Sequence, residues 1–267
     1  APAIAYTSGG TATSNTVTVT GIVGTVMVTI TPSAGTANII KNGTSVGAAS
    51  TLVSNNDTIA FSLTTPTTAG TKNTATLTFG PDSYTWWAGY ADSANIGMLF
   101  VTSNGYLGYS MGGLSGADTK CQNSATAAGL NGTWTAVLSS STVNAIDRIP
   151  FNYGQIRRVD QTALAANWDT FWSGSLSALP NITEYGNLNT GTFVYTGSNS
   201  VGLKYPSSGS YCADWTGGTG SGVGLGLIDQ QNSAWIRWGD SYCNYSMPIY
   251  CMAALTPAMN NTPAPVT

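Results

Sequence analysis

The chain has 267 residues, of which 42% are hydrophobic and only 7% are charged, with a net charge of −3. The Lys and Arg residues form no basic patch and no apolar run reaches the length of a bilayer span, so we expect neither a nucleic-acid partner nor a membrane span. Histidine is absent, which excludes Ser-His-Asp and Cys-His catalysis and removes the commonest zinc ligand.

Residues 1–80 are predicted to form an all-β domain. Apolar and β-branched side chains alternate with period two, which is the strand pattern, and Gly and Asn residues separate the runs as turns. The predicted strands lie in Thr13–Ile22, Thr25–Pro32, Thr58–Thr65 and Asn73–Gly80. The side chains of this region that are charged at neutral pH are Lys41, Asp57 and Lys72. Short strands at this spacing, without a helical pattern, indicate a small β-sandwich.

The stretch SNTVTVTGI and a final TATLTFG strand resemble the immunoglobulin-like repeats of bacterial surface proteins and phage fibres. The resemblance covers most of residues 1–80. It implies a module that spaces or anchors another domain, so we assign no binding site to it.

Residues 81–97, PDSYTWWAGYADSANIG, are predicted to be an aromatic linker. Pro81 is expected to end the last strand, because proline cannot donate to a ladder. Trp86, Trp87 and Tyr90 are expected to pack between the domains; the alternative is an exposed platform on which a sugar stacks.

Residues 98–255 are predicted to form a mixed α+β domain that begins with the strand Met98–Ser103. A helix follows, with Ser115 as N-cap and Asp118 three residues on, in a capping-box arrangement. Gly129 lies where a C′ glycine is expected. The predicted buried face of this helix comprises Ala117, Cys121, Ala125 and Ala128.

The remainder of this domain is predicted to contain short elements around a long irregular region. We expect a strand over Thr133–Ser141 and a second short helix over Asp160–Trp172. Further strands are expected in Gly222–Asp229, Ala234–Trp238 and Met247–Leu255. Residues 256–267 are Pro-rich and are expected to be disordered or a linker.

Four cysteines without a C-x-x-C pair favour two disulfides in an oxidising compartment over a zinc site. Three connectivities are possible, and the sequence alone does not choose among them. The most economical is nested: Cys121–Cys251 ties the helix to the last strand, and Cys212–Cys243 closes the long loop.

This second domain resembles the C-type lectin-like fold. The shared features are a helix carrying the first cysteine, the pattern Trp238-x-Asp240-x-x-Cys243, and a final strand Ile249–Cys251. The segment Gly113–Ile149 is similar to the opening of the endostatin-like branch, in particular a domain of unknown function in surface proteins of leptospires and other bacteria. The resemblance implies a nested disulfide pair and a long loop region on a compact scaffold.

Calcium-dependent members of that superfamily coordinate the ion with an E-P-N or Q-P-D triplet and a W-N-D triplet. Here the second triplet is Trp238-Gly239-Asp240, and no E-P-N or Q-P-D occurs. Calcium takes six to eight oxygens, so one carboxylate is too few. We therefore expect no metal and no cofactor, with Trp238 as a core residue beside the Cys243 bridge and Asp240 as a turn residue.

Three other patterns favour structural roles over chemistry. Asp147-Arg148 and Arg157-Arg158-Asp160 are better explained as structural ion pairs than as an anion site. Gly217–Gly226 lacks the phosphate-loop pattern and is better explained as a flexible loop segment. A glycosidase needs two carboxylates at a set separation. No motif places the candidate carboxylates together, so we expect that the protein is not an enzyme. These candidates are Asp169, Glu184, Asp214 and Asp229.

The loop region combines Tyr and Trp with Ser, Gly and Asn, which is the composition of adaptable recognition loops. Its aromatic residues are Trp172, Tyr185, Tyr195, Tyr205, Tyr211, Trp215 and Tyr242, and we expect about half of them in the core, with Trp235 and Trp238 also buried. The predicted ligand contacts are Trp172, Asp214, Trp215, Asn232, Arg237 and Asp240.

These features together predict an extracellular adhesin or receptor-binding module on a bacterial surface or a virion. A lectin-like head on an Ig-like stalk would bind a cell-surface glycan or protein receptor without calcium. The first residues, APAIAY, fit a mature secreted protein whose leader has been removed. The alternative is a structural subunit of a fibre, pilus or virion decoration, whose partner is its own oligomer or fibre.

Overall fold

A computed structural model describes residues 2–47, 49–205, 211–218 and 221–259 of the chain. The chain divides into two compact units, Ala1–Asp92 and Ser93–Thr267, and both are rich in β-structure. Within the described ranges no helix is both long and apolar enough to cross a membrane.

The described part of the first unit contains ten strands. They are β1 Ala3–Ala5, β2 Thr11–Thr13, β3 Val17–Thr18, β4 Thr25–Pro32, β5 Ala37–Lys41, β6 Thr44–Ser45, β7 Ser50–Ser54, β8 Thr58–Thr64, β9 Lys72–Phe79 and β10 Asp82–Tyr90. One sheet has the strand order β1-β10-β9-β4-β7. The other has the order β2-β8-β5-β6, and the short strand β3 also pairs with β8. Val28 and Ile30 of the first sheet share a single buried core with Ile39 and Phe61 of the second.

The structure corrects two predictions in this unit. The predicted linker is instead the strand β10, which pairs antiparallel with β9 along its length and includes both tryptophans. Trp86 and Trp87 are each 7% exposed, and Trp86 belongs to the core of the unit, so the two rings do not form an exposed platform. The predicted strand Thr13–Ile22 is wrong for most of its length, since only the short β2 and β3 fall there.

The described residues of the second unit form ten strands, one helix of 15 residues and several shorter helical segments. The strands are β11 Ile96–Val101, β12 Tyr106–Leu107, β13 Thr135–Ala136, β14 Gln155–Arg158, β15 Ala163–Ala165, β16 Phe193–Tyr195, β17 Ser221–Leu227, β18 Gly239–Tyr242, β19 Ser246–Met247 and β20 Tyr250–Leu255. The α-helices are α1 Gly113–Ala127, α2 Ala145–Arg148 and α3 Trp168–Trp172, and 3₁₀ turns occupy Gly108–Ser110, Ser233–Trp235 and Pro257–Met259. A left-handed turn covers Tyr211–Trp215.

The centre of this unit is a five-stranded sheet with the order β13-β20-β11-β14-β15. The disulfide Cys121–Cys251 joins α1 to β20, with Cα atoms 5.5 Å apart. The second disulfide, Cys212–Cys243, joins the left-handed turn to the residue after β18. The cysteines therefore form the nested pair.

The N-cap of helix α1 is Gly112, three residues before the predicted N-cap Ser115. Gly112, in a left-handed conformation with φ of 84°, precedes its first turn, so Ser115 lies inside the helix and caps nothing. The Asp118 carboxylate instead accepts from the Ala136 amide at 2.8 Å. The predicted inner face is confirmed by the burial of Ala117, Cys121, Ala125 and Ala128, and Gly129 has the expected positive φ of 71°.

Several later elements also differ from their predictions. Ala234–Trp238 is not a strand, because a 3₁₀ turn occupies Ser233–Trp235 and β18 starts at Gly239. The predicted strand Thr133–Ser141 is reduced to the two residues of β13. The short helix predicted over Asp160–Trp172 forms only at Trp168–Trp172, after the strand β15. The loop predicted for Gly217–Gly226 contains most of β17, and the end of the Pro-rich tail lies outside the described residues.

Candidate ligand-binding groove

The second unit carries a groove beside the sheet β16-β17-β18. Its volume is about 240 Å³, and we call it the aromatic groove. The residues that line it are Phe193, Leu225, Trp238, Asp240, Ser241, Tyr245 and Met247. Strand pairing brings these residues together, because β18 pairs with β17, and β17 pairs with β16.

The groove has an apolar floor and exposed aromatic walls. Leu225 and Met247 are buried beneath it. Trp238 is 58% exposed and Tyr245 is 53% exposed, although side chains of this size are usually largely buried. The rings of Phe193 and Trp238 lie 5.5 Å apart between centroids. Tyr242, whose ring lies 6.0 Å from that of Tyr245, extends the aromatic surface beyond the groove.

The loop that carries Tyr242 and Tyr245 is fixed from below by Tyr195. The Tyr195 hydroxyl donates to the carbonyl oxygens of Tyr242, at 2.7 Å, and Tyr245, at 2.9 Å. Burial raises the pKa of Tyr195 to about 12, so the hydroxyl remains a donor over the physiological range. The disulfide at Cys243 lies between the two carbonyls in sequence and fixes the same loop.

Arg237 and Asp240 form a polar edge to the groove. The Arg237 guanidinium lies 3.8 Å from the centroid of the Tyr205 ring and 2.9 Å from the Asp240 carboxylate. Arg237 also donates to the carbonyl oxygen of Gly239. Because the two charges offset each other, the edge carries no net charge.

A strained turn lies behind this surface. All five residues from Tyr211 to Trp215 have positive φ, between 43° and 69°, which costs an L-residue about 1–2 kcal/mol each. The turn is held by the Cys212 disulfide and by the indole of Trp215, which donates to the Ser139 carbonyl oxygen at 2.9 Å. Asp214 accepts from both the amide and the hydroxyl of Ser141. Strain retained in this way is common at binding surfaces.

Of the six predicted ligand contacts, two lie at the aromatic groove, two are buried and two lie elsewhere on the unit. Arg237 and Asp240 lie at the groove, and Asp240 belongs to a strand instead of the predicted turn. Trp172 and Trp215 are wrong as surface contacts, because they are 4% and 0% exposed. Trp172 packs against Phe171, with ring centroids 5.1 Å apart, in an aromatic core.

The other two predicted contacts lie away from the aromatic groove. Asp214 lies in the strained turn and accepts from the Ser141 amide at 2.7 Å. Asn232 is exposed and accepts from the Ala234 amide at 2.9 Å, which caps the 3₁₀ turn. Asn232 also lines a separate polar groove of about 560 Å³, together with Ser175, Leu176, Leu179, Asp229, Gln230 and Gln231.

Trp238 is the main residue that the sequence prediction placed incorrectly. It was expected in the core, whereas Trp235 is the buried residue of that pair. Trp238, Asp240 and Tyr242 are two residues apart, and this period-two spacing places alternate side chains of a strand on one face. The spacing was therefore a signal for the exposed face, and Phe193 and Tyr245 had no comparable signal.

Several other charged groups of this unit have structural partners. Arg158 pairs with Asp160 at 2.6 Å, as predicted, whereas Arg148 pairs with Asp118, a partner that the prediction did not name. The Glu184 carboxylate is buried and accepts from the amide and hydroxyl of Ser103. Among the residues that the structure describes, no three Asp, Glu, Cys or His side chains come together as a metal-binding group.

Comparison with known proteins gives no family assignment. No protein-family model matches the chain, and no curated protein sequence matches it. The geometry of the groove is therefore the main support for a function.

Proposed function

We propose that the chain is an extracellular binding protein whose second unit presents the aromatic groove to a glycan or a protein. In this proposal the second unit is a C-type lectin-like head, and the first is an Ig-like stalk. Two disulfides in one unit are typical of proteins from oxidising compartments, which supports the extracellular assignment. The bacterial surface or a virion is the proposed location.

The main observation that supports this proposal is the exposure of Trp238. An indole that is 58% exposed, beside Phe193 and above the buried Leu225, leaves apolar area in water that a ligand would cover. Trp, Tyr and Arg are the residues that dominate binding energy at protein interfaces. Aromatic faces also stack on the apolar faces of sugars, so the groove suits either class of ligand.

Binding without calcium is the second part of the proposal. Asp240 contacts Arg237 at 2.9 Å, so the carboxylate of the Trp238-Gly239-Asp240 triplet already has a cationic partner. Calcium needs several further oxygens, which makes coordination at this triplet unfavourable.

A glycan array probed with calcium and then with chelator tests the proposal, followed by a panel of cell-surface proteins. We expect binding that survives chelation and falls at least about 30-fold in Trp238→Ala, as for an interface residue worth about 2 kcal/mol or more. Tyr185→Ala, which removes an exposed ring outside the groove, is the matched control. Binding lost on chelation would contradict the calcium-independent mechanism, and binding unchanged in Trp238→Ala would contradict the groove.

The alternative is a structural subunit whose partner is its own assembly. The low charge of the chain and the exposed apolar side chains of the first unit, such as Met27 and Leu52, favour it. Sedimentation at rising concentration distinguishes the two functions, because a presented head stays monomeric and an assembly subunit associates.

A further inference from the structure

Strand β7, Ser50–Ser54, is the last strand of its sheet and pairs with β4 on one side only within the described residues. The Ile30 amide donates to the Ala49 carbonyl oxygen, and backbone groups in a strand alternate in direction. The amides and carbonyls of Ser50, Leu52 and Ser54 therefore point away from β4. Such an edge is a template for another strand.

Two charged side chains occupy this outer edge. Lys41 Nζ donates to the Leu52 carbonyl oxygen at 2.9 Å, and Asp57 accepts from the Ser54 amide at 2.7 Å. The two side chains also contact each other, with Lys41 Nζ 3.0 Å from Asp57 Oδ2. Asn42 donates to the other Asp57 oxygen at 2.7 Å, which fixes the carboxylate.

The position of these charges is unusual for so uncharged a region. Lys41, Asp57 and Lys72 are the charged side chains of residues 1–80, and two of these three lie at this edge. An ion pair on the surface contributes little to stability. Charged side chains, lysine especially, do protect edge strands from pairing with other chains.

We propose that Lys41 and Asp57 prevent another strand from pairing with the outer edge of β7, and that the strand they exclude is β7 of a second copy. The sequence STLVS carries no charge and no proline, so it is compatible with pairing to itself. On the exposed face Leu52 lies opposite Met27, and the two side chains are 49% and 47% exposed. Antiparallel pairing of two β7 strands would bring both copies' Leu52 side chains together and extend this apolar patch.

The test is sedimentation velocity of the full chain at rising concentration. The variant Lys41→Met/Asp57→Asn keeps the side-chain sizes and removes both charges. We expect this variant to move from the sedimentation coefficient of the wild type to that of a dimer or larger species as concentration rises. Lys72→Met, which removes a lysine located at the start of β9, is the matched control and is expected to sediment as the wild type does.

A third variant identifies the edge itself. Adding Leu52→Lys to Lys41→Met/Asp57→Asn places a charge on β7, and we expect it to restore the wild-type sedimentation coefficient. If the double variant does not fold, Lys41→Met alone opens the Leu52 carbonyl and is expected to associate more weakly. A folded variant that sediments as the wild type at every concentration overturns the proposal, as does association that Leu52→Lys leaves unchanged.

Discussion

In residues 1–92 the strands pair in long ladders, the buried side chains come from two facing sheets, and no cysteine occurs. In residues 93–267 many strands have only two to four residues, and two disulfides fix the segments between them. The first unit is thus stabilised by apolar packing along continuous strands. The second has a buried apolar core as well, and its two disulfides additionally link irregular segments, near one of which Trp238 is exposed.

Removal of a disulfide from the second unit is expected to have the largest effect on stability, and it tests how far that unit depends on its covalent links. In the chain-entropy model, Cys121–Cys251, with a separation of 130 residues, stabilises the second unit by about 5 kcal/mol. The double variant Cys121→Ala/Cys251→Ala is expected to lose about that much free energy of unfolding, measured by urea denaturation.

The second disulfide provides a graded control. Cys212–Cys243 closes 31 residues, which the same model values at about 4 kcal/mol. Its removal also lets the strained Tyr211–Trp215 turn relax, so the observed loss should be smaller. Equal losses for the two disulfides would show that loop length does not decide their contributions.

A substitution that creates a cavity in the first unit tests whether apolar packing between its sheets stabilises it. Ile30 is fully buried on β4, so Ile30→Ala is expected to cost about 2–5 kcal/mol of unfolding free energy. Thr31→Ala, the exposed neighbour, is expected to change it by less than about 0.5 kcal/mol. Similar costs at the two positions would contradict a core located between the sheets.

The two units also differ in how far local sequence determined them. Strand β4 matches its predicted bounds at both ends, because its alternation of apolar and polar side chains is local information. Strand β10 was missed because Pro81 was interpreted as the end of the sheet, whereas Gly80 and Pro81 connect β9 to β10.

In the second unit, long-range contacts decided the outcome. The helix bearing Cys121 was predictable from its spacing of small residues. The burial of Trp215 accompanies the left-handed turn that the Cys212–Cys243 disulfide holds, and nothing in the local sequence indicated it. The exposure of Trp238 had only a weak local signal, the period-two spacing with Asp240 and Tyr242. The candidate site was therefore predicted only through Arg237 and Asp240.

A smaller loss of stability is expected from a substitution at Tyr195, which supports the loop that the Cys243 disulfide also fixes. Tyr195→Phe removes the donor to the Tyr242 and Tyr245 carbonyls and is expected to cost about 1–2 kcal/mol of unfolding free energy. Ligand affinity is expected to fall with it, because both exposed rings lose their support. Crystallography of Tyr195→Phe checks the cause, since an unmoved loop would show that the disulfide alone positions the rings.

The smallest effect should appear at the charged edge of the first unit. The Ser54 amide, the Asn42 amide group and Lys41 hold the pKa of Asp57 at about 2, below its ordinary value of 3.8. A depressed pKa in the folded state stabilises the fold above the ordinary value, and this stabilisation is lost as the pH falls from about 4 towards 2.

Urea denaturation at pH 7, 4, 3 and 2 measures this loss. Asp57→Asn is expected to be less stable than the wild type at pH 7, and the difference is expected to shrink towards pH 2, where the wild-type carboxyl also becomes neutral. Sedimentation over the same series should show association rising as Asp57 is protonated, because the Ser54 amide then loses its charged acceptor. A stability difference between the two proteins that stays constant from pH 7 to 2 would contradict this role of the Asp57 charge. Sedimentation that does not change over the series would assign the edge protection to Lys41 alone.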